Sequence, residues 1–488
     1  MTTTSPDSRG TPGLTVRPPV TYGDGGRPVP GRRPDRGPYG PRVFIRAGQT
    51  RLFPRELDRA YPLIVRGQGP RLYDSAGNCY LDATSGGAMT ANLGQPAPEE
   101  IAETMRREAA RCSYLHGTQF TSPMQEGLAE QLTRLAPPGF TRARFVTGGS
   151  EANEMALRMA RSYWWERGQD RHRIISPAQA YHGPTMATLG LTGRAGLQAP
   201  FGPYIVRQPH IPPSTSWADP DGSRALAALD QVLDQEGPGS IAAFLAEPVS
   251  AASLPGYSPP RAFWEGLEQR RREHGFLVWL DEVVTGLGRC GSWFAAGQLP
   301  VTADIITVSK GLGCGFFPVG AMLVRDEVYQ AVAAGSRAFE HGHTWDGAPL
   351  GCAAGLAVLA HLEREDIPGQ VAARGPALRA ALAAALEGCP LVREVRGRGF
   401  LCGISYADPA GGRPFPDPAW RVAARVDAEA LDRGLILYST APAADGYAGD
   451  QTLFAPALNA SDEDLAEMIA LTADAVRAVA GQLAAERA

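Results

Sequence analysis

The sequence predicts an α/β protein, with a large unit built on a mostly parallel sheet and a smaller α+β unit after it. Three observations predict this. Short apolar or β-branched runs, turns of small residues and helical patterns recur in that order between about residues 140 and 310. Those runs are apolar throughout instead of alternating, as strands covered on both faces must be. After about residue 350 the order changes to helices, strands, a helix, strands and a closing helix, an α+β arrangement. The 488 residues suggest two or three domains by a prior of about 150 residues each, although a large α/β domain could absorb much of that length.

Taken in order, residues 1–40 are crowded with Pro, Gly and Arg and hold almost no large apolar side chains. Such a segment buries too little surface to order itself, so it is expected to be a flexible tail, with packing on a partner subunit as the other option. Residues 41–90 read as an N-terminal segment joining the smaller domain. Short strands begin at about 63, as in Tyr80-Leu81-Asp82, with Asp74 to Asn78 as a turn between two of them. The large domain is placed at 91–345. Helical spacing runs over 98–111 and 123–135, and strands are expected at 144–147, 173–176, 241–246, 276–280 and 305–308. The smaller domain is placed at 346–488. It reads as helices at 350–363 and 370–387, strands within 391–405, a helix at 418–433, strands at 435–438 and 451–455, and a last helix at 461–485.

Net charge is −4 with both signs spread along the chain, which gives no footprint for nucleic acid or an anionic membrane and favours a small polar substrate. The seven cysteines are scattered without a CxxC pair, as reduced cytosolic thiols would be, and suggest neither a disulfide framework nor zinc. His341 and His343 have no Cys or carboxylate at ligand spacing, so no metal site is expected. No Gly-x-Ser-x-Gly elbow follows a strand. The first residues lack the apolar stretch of a signal peptide and no run approaches ~20 apolar residues, so a soluble cytoplasmic protein is expected.

One composition fact carries chemistry: Lys310 is the single lysine, and every other residue counted as Lys or Arg is arginine. Arginine stays protonated and cannot act as a nucleophilic amine. Lysine can, by forming a Schiff base with a carbonyl or with pyridoxal phosphate. In a parallel sheet ligands bind beyond the carboxyl ends of strands, so the residue after each apolar run is the one to inspect. Lys310 ends the run Ile305 to Ser309 and is followed by Gly311-Leu312-Gly313. Asp281 ends Phe276 to Leu280, where a buried carboxylate needs a positive partner such as a protonated pyridine nitrogen. A helix cap is the alternative for Asp281, and Glu282 beside it is expected to point elsewhere.

Gly148-Gly149-Ser150 follows Phe145-Val146-Thr147 and opens a helix whose Ala152, Met155, Ala156, Met159 and Ala160 share a face. Free amides there attract a phosphate, although a Ser at a helix start is also an ordinary N-cap. Tyr181 and His182 follow another strand, and the Tyr181 ring either stacks on a planar cofactor or packs in the core. Glu247 ends Ile241 to Ala246, with structural ion pairing as its alternative. Together these residues describe a site for one cofactor, pyridoxal 5'-phosphate.

In this order, and across nearly the whole chain from about residue 45, these pieces resemble the class III pyridoxal-phosphate-dependent aminotransferases, the ω-aminotransferase group of fold type I. The matching stretches are Gly149-Ser150-Glu151-Ala152-Asn153-Glu154, Tyr181-His182-Gly183, Glu247-Pro248-Val249, Asp281 to Gly286, Ser309-Lys310-Gly311 and His343-Thr344-Trp345. The resemblance implies a fold type I PLP-dependent transferase and a homodimer whose active sites lie at the subunit interface. Lys310 would form the Schiff base, Asp281 would hold the pyridine nitrogen and Tyr181 would stack on the ring. Gly149 and Ser150 would bind the phosphate, with Thr344 reaching it from the other subunit. His182 and Glu247 complete the expected cofactor site. The substrates would be a small amino donor and an aldehyde, ketone or keto-acid acceptor.

The sequence also departs from the family pattern. Many relatives carry an Arg shortly before the Gly-Asp preceding the last strand, whereas here Gly446-Tyr447-Ala448 lead into Gly449-Asp450. An aromatic frequent after the Ser85-Gly86 equivalent gives way to Ala88 and Met89, which suggests a wide pocket. Trp345-Asp346-Gly347-Ala348 alters the segment after Thr344. An aminomutase, racemase or decarboxylase would begin with the same cofactor linkage, and a catalytically silent scaffold would keep only the fold.

Overall fold

The computed structural model describes residues 44–441 and 449–487. The proposed tail at 1–40 and the Gly446-Tyr447-Ala448 departure lie outside the described residues.

Apolar runs become the strands of a seven-stranded sheet, ordered Phe140–Val146, Gly320–Arg325, Ile305–Val308, Leu277–Asp281, Ile241–Ala246, Arg173–Pro177 and His210–Ile211. Gly320–Arg325 is antiparallel to both neighbours, and the remaining pairings are parallel. Ile241–Ala246, Leu277–Asp281 and Ile305–Val308 are buried at every position. Such strands are covered on both faces, which is why their sequences do not alternate. Phe140–Val146 is an edge strand and begins earlier than its sequence suggested, with polar Thr141, Arg142 and Arg144 interleaved. The strand Gly320–Arg325 was not anticipated.

Gly149–Glu166 packs on this sheet through buried Ala152, Met155, Ala156, Met159 and Ala160, the face read from the spacing. Glu99–Arg111 and Pro123–Leu135 form as expected, the second capped by Ser122, whose Oγ accepts from Gln125 N–H at 3.2 Å. Helices Pro349–Arg364 and Ile367–Ala385 follow the sheet. Val392–Arg398, Leu401–Tyr406, Gln451–Phe454 and Tyr438–Thr440 then form a four-stranded antiparallel sheet.

Ile64–Gln68, Arg71–Asp74 and Cys79–Asp82 form another sheet with Leu435–Ile436, which pairs in parallel with Cys79–Asp82. The turn Asp74 to Asn78 is held by its own first residue: Asp74 Oδ1 accepts from the Ala76 and Asn78 amides, each at 2.9 Å. Arg289, fully buried, ties these parts together. Its guanidinium donates to Phe400 C=O at 3.0 Å, Pro456 C=O at 2.5 Å, Ser85 Oγ at 3.0 Å and Asn92 Oδ1 at 2.6 Å. Burying a guanidinium is tolerable because most of its donors are met.

The final helix, Asp462–Arg487, is long and apolar enough by length and composition to cross a membrane. Here it turns Leu465, Met468, Val476, Val479 and Leu483 into the core, against Val422–Asp432 and Ile367–Ala385.

Candidate active site

The strands Phe140–Val146, Arg173–Pro177, Ile241–Ala246, Leu277–Asp281 and Ile305–Val308 all run the same way, so their carboxyl ends share one edge of the sheet. Chain leaving that edge lines a cavity of about 160 Å³. Gly149, Ser150, Tyr181, His182, Glu247, Asp281 and Lys310 all border it. Thr344 does not. It is exposed, between His343, which pairs with Glu151, and Trp345, whose ring meets Tyr114 edge-on at 5.5 Å.

Asp281 is buried, yet its carboxylate is well met. Oδ2 accepts from Asn153 Nδ2 at 2.8 Å and faces His182 Nδ1 at 2.8 Å, while Oδ1 accepts from Val283 N–H at 3.0 Å. Because a carboxylate accepts only, Nδ1 carries the proton in the His182 contact. Asn153 also donates to His182 C=O at 2.8 Å, and its Oδ1 accepts from Thr307 Oγ at 2.7 Å. The chain Thr307, Asn153, Asp281 and His182 thus fixes the carboxylate in one pose.

Lys310 follows Ser309, whose hydroxyl donates to Val319 C=O at 2.9 Å. Lys310 itself has φ +42°, a left-handed conformation that a lysine adopts at a cost and that the fold must impose. The next residue has no room for a side chain: a Cβ on Gly311 would lie 2.5 Å from Asn92 Nδ2, and Asn92 is held by Arg289. Burial lowers the pKa of the Lys310 ammonium, with Asp281 and Glu247 acting in the opposite direction.

Helix Gly149–Glu166 points its start into the cavity. Its first internal bond runs from Ala152 N–H to Gly148 C=O at 3.0 Å, so the amides of Gly149, Ser150 and Glu151 stand ahead of it. Glu151 turns back to accept from Thr147 N–H at 2.8 Å and pairs with His343 Nε2 at 3.1 Å. Close packing demands glycine here: a Cβ on Gly149 would come within 2.9 Å of Val283 Cγ1. Gly183, at φ +129°, lies against the Ser150 side chain and Thr188.

Tyr181 borders the cavity, and burial raises the pKa of its phenol. Glu247 accepts from Tyr181 N–H at 3.3 Å, Ser250 Oγ at 3.2 Å and Ala251 N–H at 3.4 Å. Burial raises the pKa of its carboxyl. Glu282 points away, as expected. It accepts from Ala295 N–H at 2.8 Å, Ala296 N–H at 2.7 Å and Thr285 Oγ at 2.8 Å, and burial takes it up to about 7.

Asn153 and Thr307 were assigned no role from the sequence. Asn153 stood inside a quoted motif, one helical turn after Gly149 on the buried face, and that position was its available signal. Met89 is buried with Val249 and Leu453 and does not line the cavity.

Three comparisons bear on this arrangement. The family model Aminotransferase class-III matches residues 53–476. The uncharacterized aminotransferase YodT of Bacillus subtilis is 33% identical over 436 residues, covering 88% of this chain and 98% of its own. Diaminobutyrate–2-oxoglutarate transaminase of Halomonas elongata is 32% identical, covering 87% of this chain and 92% of its own. Among solved structures, a thermostable (S)-enantioselective omega-transaminase from Thermomicrobium roseum superposes with a TM-score of 0.81 at 32% identity. The match covers 88% of this chain and 96% of that one.

Proposed function

The chain belongs to the class III aminotransferases, which use pyridoxal phosphate to move amino groups, and from that premise we propose the roles of its residues. The observation that carries the reading is the cavity itself, where the single lysine, a buried carboxylate, free helix-start amides and an aromatic ring meet. Each has a counterpart in the cofactor. Lys310 Nζ suits the aldehyde carbon, Asp281 the ring nitrogen, Tyr181 the ring face, and the Gly149 and Ser150 amides the phosphate. When bound, the cofactor supplies an electron sink for the charge left when a bond to the substrate carbon breaks.

The protein's part is positioning and proton handling. Asp281, oriented by Asn153 and His182, would hold the ring nitrogen through its carboxylate. Lys310, once its amine is free, would take the proton from the substrate carbon and deliver it two atoms along, to the carbon on the far side of the amino nitrogen. Its lowered pKa leaves more of it as free base near neutral pH. Tyr181 and Val283 border the space from which water must be excluded.

The test is a half-reaction. Holoenzyme mixed with an amino donor alone is expected to pass to its pyridoxamine form and release one carbonyl product per site. A racemase or decarboxylase would keep the aldehyde form, and that outcome would overturn the reading.

The assembly and the layout of the chain are part of the same proposal. The protein works as a cytoplasmic homodimer, with Thr344 of each subunit completing the neighbour's phosphate site, and divides into a large domain at 91–345 and a smaller one at 346–488. Exposed Tyr114 and Trp345, whose rings meet at 5.5 Å beside Thr344, support the dimer as apolar surface next to the residue assigned to the neighbour's site. Sedimentation velocity is expected to give twice the chain mass, and a monomer at micromolar concentration would remove the role of Thr344.

A further inference from the structure

Backbone strain gathers around Lys310. Of the nine non-glycine residues with positive φ among the described residues, five lie on three segments that meet beside it: Ser85 at +50° and Met89 at +56°, Leu287 at +61°, and Lys310 at +42° and Cys314 at +50°. Such conformations persist only where the surroundings over-determine them.

Arg289 and Asn92, both buried, supply that constraint. Arg289 Nη2 donates to Ser85 Oγ at 3.0 Å and to Asn92 Oδ1 at 2.6 Å, clamping the two ends of the 85–92 turn. A guanidinium only donates, so the oxygen of the Asn92 amide must face it and the NH2 is turned the other way. That NH2 meets the backbone immediately after Lys310, where a Cβ on Gly311 would lie 2.5 Å from Nδ2, whereas the next residue, Leu287, would be met at 3.9 Å. Gly311 does not occupy the left-handed region, so what excludes a side chain there is the Asn92 amide and not the backbone conformation. The main chain of Asn92 is anchored as well, its C=O accepting from Leu458 N–H at 2.7 Å. Neither Asn92 nor Arg289 borders the cavity, whereas Lys310 does.

We propose that Asn92 is a positioning residue for Lys310: locked by Arg289, its amide backs the chain at Gly311 and holds the left-handed turn from which the lysine enters the cavity. A nucleophile displaced by about 1 Å loses on the order of 10²-fold in rate, so a wall behind the turn matters although it touches neither substrate nor cofactor. The inference rests on the reading of Lys310 as the residue that joins pyridoxal phosphate.

The experiment separates joining from binding. Full-length enzyme is stripped of cofactor and reloaded with pyridoxal phosphate, and the lysine–cofactor linkage is followed by its absorbance. Pyridoxamine phosphate makes no bond to Lys310, and its affinity, measured by calorimetry, reports the rest of the site. Asn92→Ala is expected to slow linkage by about 10-fold or more while leaving pyridoxamine phosphate affinity within about 2-fold of the parent. Gly311→Ala is expected to slow it as well, because its Cβ drives against the amide. The double variant is expected to be faster than G311A, since the new Cβ then fills the space the amide has left, a coupling that independent sites do not show. Should N92A not fold, Asn92→Ser, which keeps a hydroxyl acceptor, replaces it in both the single and the double variant. Parental linkage rates in the Asn92 variant, a pyridoxamine phosphate affinity that falls in step with the rate, or additive losses in the double variant would each overturn the proposal. A parent enzyme that forms no linkage at all overturns the reading of Lys310 together with it, whereas a linked parent with unaffected variants removes the role of Asn92 alone.

Discussion

Lys310→Ala is expected to abolish the visible absorbance of the lysine-bound cofactor and to reduce turnover by at least about 10⁴-fold, since it removes both the covalent anchor and the proton carrier. No neighbour can take over. The chain has no second lysine, and an arginine held protonated near neutral pH offers no nucleophilic nitrogen. The same fact makes the site easy to map. Borohydride reduction of the holoenzyme followed by peptide mass spectrometry should place the cofactor on the peptide containing Lys310. A label elsewhere, or an active K310A protein, would refute the assignment. Because Lys310 holds φ +42°, the alanine variant also carries that backbone cost, and circular dichroism must show the parent fold before the loss is ascribed to chemistry.

Asp281→Asn is expected to lower turnover by about 10³-fold, comparable to removing one preorganised electrostatic partner in other active sites. The cofactor band should persist, because Lys310 is untouched, and that separates this variant from K310A. The reason lies in the donors around the carboxylate. Asn153 Nδ2 and His182 Nδ1 both address Oδ2, where an amide oxygen can accept without charge, while only the Val283 N–H loses its acceptor at Oδ1, so most of the packing survives while the anion is lost. Asp281→Glu keeps the charge but moves it by a methylene, and an intermediate rate is expected. Full turnover in D281N would show that the ring nitrogen needs no anion from this residue.

Much of this was legible in the sequence because it depends on local pattern. Ile241–Ala246, Leu277–Asp281 and Ile305–Val308 are apolar at nearly every position and buried throughout, and Glu247, Asp281 and Lys310 stand at their carboxyl ends or within two residues of them. The turn at Asp74 was readable because its hydrogen bonds are supplied by Asp74 itself. Gly320–Arg325 was harder to place. Its run Ala321 to Val324 is apolar, but Asp326 opens a helix at once, and nothing local specifies that it lies antiparallel between Phe140–Val146 and Ile305–Val308.

The edge position of Phe140–Val146 explains its obscured start, since one strand neighbour leaves room for polar side chains on the open side. In the site, Thr307 becomes relevant through the register that sets it opposite Asp281. That is a long-range pairing, and no spacing within a short window encodes it.

The parallel pairing of Leu435–Ile436 with Cys79–Asp82 has a consequence for biosynthesis. These partners are separated by more than 350 residues, so during translation the strands around Cys79–Asp82 wait with an open edge until residues 435 and 436 have been made. The seven-stranded sheet, whose strands all lie between residues 140 and 325, can assemble before then. Premature termination ahead of residue 435 would accordingly release a product with its central layer formed and a sticky β-edge uncovered, a natural substrate for chaperones and proteases.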